Sequence, residues 1–370
     1  NAASNQMSAV TLSGAGGILR VNSATNLGAA GDTVTFSSTT TAATLQVRSD
    51  GSGSNGSIAY GNAVVFNGAA SALGIIDVGN NGSSNTGNTV AFGALTNSGS
   101  GNAGTLTING ANGYGVSFTS LVLPSGTANV NTTLVANAPV TITGGVTNAN
   151  TAVVNTIADT LILDGVSTGS IGGVIADGAT ALTAVTKQGT GTWTFAAANT
   201  YTGVTTVNNG TLLINGSSVA GSSYTVNGSA TQGLQGMLGG TGTLGGAVTL
   251  GTNGASSFDL GAVLNAGTVG AAGTLTIGGL LTTNTFSTLS FDLNTASTVG
   301  SGVNDLISAA LTPVINGNTQ ILINTLGTLT VGAYTLINGY SGSIASPGNF
   351  TLAAFTGVDT THGGILINNN

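Results

Sequence analysis

The feature that most constrains this chain is a short run of alternating character that keeps returning. It reads TLTIN (Thr105–Asn109), VTITG (Val140–Gly144), TLILDG (Thr160–Gly165), TWTF (Thr192–Phe195) and TLLING (Thr211–Gly216). Further on come YTVNG (Tyr224–Gly228), TLTIGG (Thr274–Gly279), TLSFDL (Thr288–Leu293), ILIN (Ile321–Asn324) and YTLING (Tyr334–Gly339), with ILINNN at the end. Apolar residues alternate with Thr or Ser, which is the period-2 signature of a half-buried strand. The runs close on Asn-Gly or Gly-Gly, residues that supply the positive φ of tight turns. A chain built this way folds as stacked or paired short strands.

Composition closes off the alternatives. Charged residues make up 4% of the 370, there is no Glu, and the only bases are Arg20, Arg48 and Lys187. With no Glu and a single Lys the solvent face of a helix is hard to build, and the one short segment that reads as helix is NDLISAAL (Asn304–Leu311). Disordered chains combine low hydropathy with high charge. This one has a mean hydropathy of +0.39 and 41% hydrophobic residues, so it folds. Pro is scarce and Gly has no strict three-residue period, which excludes collagen. Three bases cannot track a phosphate backbone or an anionic lipid surface, so nucleic acid is not a partner. No apolar run reaches the ~18 residues of a membrane helix, so no membrane span is expected. There is no Cys, hence no disulfide or thiolate metal site. The opening NAASNQ reads as the mature end left after signal removal.

The expected fold class is all-β, a parallel β-helix or β-solenoid, with a β-sandwich-like terminal region as the variant. Abundant Asn, Gly and Thr suit stacked turns and side-chain ladders, and scarce aromatics suit a narrow core of Val, Leu, Ile and Ala. A rung of roughly 20 residues is assumed. Three regions are expected: residues 1–184, strand-rich; residues 185–283, the most regular; and residues 284–370, a group of hydrophobic strands. Whether residues 1–184 continue the same solenoid stays open.

The stretch VTKQGTGTWTFAAANTYTGVTTVNNGTLLING (Val185–Gly216) resembles the autotransporter-associated β-strand repeat, or passenger-associated transport repeat. Lys187, Gly189, Gly191 and Thr192 match its start. Asn199, Thr200, Tyr201, Thr202 and Gly203 match its centre, and Thr205, Thr206, Val207, Gly210, Thr211 and Leu212 its end. Trp193 lies within the motif. The resemblance implies a right-handed parallel β-helix on the bacterial exterior and brings no catalytic residue, since the repeat is structural. It also implies a secreted or cell-surface location.

Few residues carry chemistry. His362, the only His, has Asp359 three positions away but reads as a turn residue. Asp159, Asp164 and Asp177 could be set against each other as a glycosidase pair, which needs carboxylates ~5–10 Å apart. Asp50, Asp164 and Asp177 each precede Gly and read first as turn residues. The same three are the candidate ligands for a structural Ca²⁺; otherwise no cofactor is expected. Gly14–Gly17 and Gly239–Gly246 lack the Lys of a phosphate loop. Trp193 and Tyr201 read as packing between rungs, with a sugar-stacking platform as the alternative.

The expectation for function is a non-enzymatic, secreted structural protein. It self-assembles through uncharged strand edges into an extracellular fibre, sheath, surface layer or matrix. Its partner is then another copy of itself. The alternative is a passenger-like adhesin that contacts cells or surface glycans, and after it a β-helix carbohydrate-active enzyme. Sparse Lys and Arg imply resistance to trypsin-like proteases.

Overall fold

The computed structural model describes residues 9–14, 16–67, 72–99, 103–126, 129–151, 158–251, 255–294, 298–300, 302–327, 329, 332–345 and 349–352. These hold 34 strands and two short 3₁₀ turns, so the protein is all-β. Among the described residues the ladder strands pair in parallel, in register, and between strands that are not sequence neighbours; two isolated bridges, Gly240 with Gly267 and Thr268 with Ala271, are antiparallel. That pairing defines a β-solenoid: each strand lies beside its equivalent one turn of chain later. Contacts divide the chain into two compact units, Asn1–Val185 with Gly191–Trp193, and Thr186–Thr190 with Thr194–Asn370.

In the first unit three ladders run side by side. One contains Ala9–Leu12, Thr33–Phe36, Ala63–Phe66, Leu95–Asn97, Leu121–Leu123 and Val146–Asn148. A second contains Ile18–Val21, Ala43–Arg48, Ala72–Gly79, Gly104–Gly110, Asn131–Ala136 and Ala158–Asp164. The third contains Ser57–Ala59, Thr89–Ala91, Gly115–Phe118, Val140–Ile142 and Gly169–Ile171. Alternation sends every second side chain inward. The inward rows are apolar columns such as Leu45, Ile76, Ile108 and Ala136, all fully buried and paired in register.

Thr205 pairs with Tyr224, a step of 19 (224 − 205) close to the rung length assumed from the sequence, but the rungs of the first unit are longer. Leu45 pairs with Ile76 and Ile76 with Ile108, steps of 31 (76 − 45) and 32 (108 − 76). Three short strands and three corners per rung account for the extra length. Aromatics are also used more than a narrow core would need. Tyr60, Phe92 and Phe118 form a continuous stack with centroids 5.8 and 5.9 Å apart, and Phe36 packs on Phe66.

The corners are closed by buried Asn side chains. Asn62 donates to the carbonyls of Leu27 and Ala29, and Asn88 to those of Asp50 and Gly53. A corner where the backbone turns inward leaves carbonyls that no ladder can satisfy, and a carboxamide supplies the donors. This gives Asn62 and Asn88 a structural role without invoking any ligand.

The second unit repeats the scheme. One ladder holds Thr205–Val207, Tyr224–Val226, Val248–Leu250, Leu281–Thr283 and Val314–Ile315. Another holds Gly210–Ile214, Gly236–Gly239, Val263–Asn265, Thr288–Leu293, Thr319–Thr325 and Phe350–Leu352. The third holds Thr243–Leu244, Thr274–Ile277, Leu306–Ala309 and Ile337–Asn338. The segment expected as a helix, Asn304–Leu311, is instead strand at Leu306–Ala309, in register with Thr274–Ile277. Ladder pairing overrides a weak local helical preference. The described strands after residue 284 stack in parallel on those before them, not as a separate sandwich.

Candidate functional site

The repeat segment is where the chain places its only lysine. Alternation on Leu182–Lys187 turns Thr183, Val185 and Lys187 inward, and Lys187 is fully buried. Its ammonium donates to the carbonyls of Gln188 (2.9 Å), Gly189 (2.7 Å) and Asn209 (3.2 Å). Each of these three acceptors is a backbone carbonyl. Gly189 and Gly210 take φ of +77° and +64°, the left-handed conformation that bends both strand ends toward the ammonium. Lys187 therefore clamps two turns of the repeat together.

The other motif residues serve the same purpose. Asn199 is buried, donating its backbone N–H to the Ser217 carbonyl and its carboxamide to that of Ala197. The Tyr201 hydroxyl lies 2.6 Å from the Thr205 hydroxyl in the core. Trp193 is fully buried over Gly169, where a Cβ would collide with the indole ring. A Cβ on Gly191 would collide with the Ser167 carbonyl. Gly203 is buried beside Tyr201. Burial of Trp193 and Tyr201 rules them out as a sugar-stacking platform.

The Asp residues singled out for calcium stand apart from one another. Asp50 accepts from the backbone N–H groups of Asn81 (2.7 Å) and Ser83 (3.2 Å). A hydrogen bond from the Ser83 side chain, then one from the Asn81 backbone, holds its carboxyl below the usual range. Asp164 accepts from the N–H of Gly165 and Asp177 from that of Thr183. Each is a turn cap on a different corner. Asp159 and Asp164 share a strand but not a face: Asp159 is buried inward and burial raises its carboxyl, whereas Asp164 is half-exposed outward. They do not form a facing acid pair. His362 and Asp359 lie outside the described residues, and among those described no group of three His, Cys, Asp or Glu side chains converges. A shallow cavity of about 300 Å³ beside Gln232, Ser257 and Asp259 brings in a single carboxylate.

The acid pair that the structure does assemble was not singled out from the sequence. Asp292 and Asp305 are both fully buried in the second unit. Asp305 accepts from the N–H of Asp292 (2.7 Å) and of Gly273 (2.6 Å), while its own N–H donates to the Asp292 carbonyl. Asp292 accepts from the N–H of Gly270 (2.6 Å). Burial pushes the Asp305 carboxyl up to about 7, against its hydrogen bonds from Asp292 and Gly273. In sequence, Asp292 reads as the solvent-facing residue of TLSFDL. It is buried because the turn through Gly267 and Gly270 folds over it.

Comparison with known proteins agrees with this geometry. The passenger-associated-transport-repeat family matches residues 185–214, the segment clamped by Lys187. No curated protein matches the chain. Among the described residues no helix is long and apolar enough to cross a membrane. The chain is thus a parallel β-solenoid protein that carries a passenger-associated-transport-repeat, a repeat found in secreted autotransporter passengers.

Proposed function

We propose that this protein is a secreted, non-catalytic building element of the bacterial exterior that associates with further copies of itself through open strand edges. The observation that carries the reading is the state of the last described strands in each ladder of the second unit. Val314–Ile315, Ile337–Asn338 and Phe350–Leu352 each have a ladder partner on one side only among the described residues. None carries a charge. Val314 is 39% exposed, and the neighbouring Leu311 is 50% exposed. Soluble proteins usually protect such edges with Lys, Pro or a bulge. An uncharged parallel edge is a template for another strand, and a contact that does not close on itself propagates.

Negative-stain electron microscopy and light scattering across a concentration series test this. Filaments or sheets that grow with concentration, and vanish in Val314→Lys, are the expected result. Isolated particles at every concentration would overturn self-association and leave display of the solenoid surface to cells or glycans as the function.

A further inference from the structure

The second unit buries two carboxylates and gives them no positive charge. Asp292 and Asp305 are both 0% exposed. All three bases of the chain are engaged elsewhere: Lys187 on carbonyls, Arg48 on Asp77 and Arg20 on Asn81. Moving even one carboxylate out of water without a counter-charge is costly, and two in contact more so.

The hydrogen bonding makes the demand specific. Three of the four carboxylate oxygens already accept a backbone N–H, from Asp292, Gly273 and Gly270. The fourth, Asp292 Oδ1, is buried with no hydrogen-bond partner. So is the side-chain oxygen of Asn265, a residue only 1% exposed. Asn265 pairs in register with Ser290, and Asp292 lies two residues further along that strand. By alternation, Asn265, Ser290 and Asp292 project from the same face of the sheet. Two bare oxygens thus share a face beside a second carboxylate.

We propose that Asp292, Asp305 and Asn265 form a buried site for a hard divalent cation of the calcium type. Carboxylate and carboxamide oxygens are the donors such an ion takes, with backbone carbonyls completing its shell. Bound there, the ion neutralises the pair and ties the Gly267–Gly273 turn to the strand Thr288–Leu293. The site stands on these residues alone and does not depend on self-association.

The test is calorimetric titration of CaCl₂ into the chelator-treated full chain near neutral pH, with thermal melts alongside. Expected are one saturable binding event and a higher melting temperature with calcium. Asp292→Asn should weaken binding at least tenfold, and Asp50→Asn should leave it unchanged. Should Asp292→Asn fail to fold, Asn265→Ala removes only the bare carboxamide oxygen and should also weaken binding. Absence of both heat and melting shift in the wild-type chain would overturn the proposal. So would binding that survives both second-unit substitutions, or that disappears with Asp50→Asn.

Discussion

A single residue decides how the repeat closes. Lys187 meets three carbonyls in a place no water reaches, so its loss strands three acceptors at once. Lys187→Met keeps most of the stem volume but removes every donor. It is expected to cost about 3 kcal/mol in urea unfolding. Arg in its place is too large and too planar for a pocket shaped to an ammonium, and should not restore stability. Asp305 sets a different dependence. Its folded value of about 7 stands above the ordinary carboxyl value of 3.8, so the folded state holds the extra proton. The stabilisation is full below the unfolded value and is lost as pH rises through the folded one. In chelator the melting temperature should therefore fall between about pH 4 and pH 7, and Asp305→Asn should flatten that slope. Asp159 is shifted in the same direction, so some slope will remain in the variant.

At the level of strands, certain glycines, both at the corners and within the ladders, leave no room for added volume. Gly191 sits against the Ser167 carbonyl and Gly169 against the Trp193 ring. Gly191→Ala should destabilise by about 2 kcal/mol or more, because the atom it would displace is backbone. Ile76→Ala, in the middle of an apolar column, should cost about 3 kcal/mol by cavity formation. Denaturant melts of both variants check these values. The strands themselves were legible in the sequence, since Thr alternating with Val, Leu or Ile has few other physical readings. The Lys187 clamp was legible only as a motif, because its inward direction follows from strand register. Asp292 was not legible as buried. Its place in TLSFDL has the pattern of a solvent face, and only the turn that folds over it from Gly267 and Gly270 reverses that. The segment Asn304–Leu311 misled for the same reason: its partner strand, not its own composition, fixes its conformation.

Over the whole molecule the scarcity of bases becomes a matter of accessibility. Of the three sites at which trypsin could cut, Lys187 is buried and Arg48 is held by Asp77 at 2.5 Å, leaving Arg20 exposed. Trypsin acting on the native protein should cleave after Arg20 at most, and mass spectrometry of the product should show one large fragment. Cleavage at Lys187 under native conditions would mean that the repeat opens before the rest. The same burial makes Lys187 a built-in reporter. Being the chain's sole side-chain amine, it is shielded from acylating reagents as long as its clamp is closed. The rate at which it takes up such a label therefore measures the opening of that one turn, with no probe needing to be engineered into the protein.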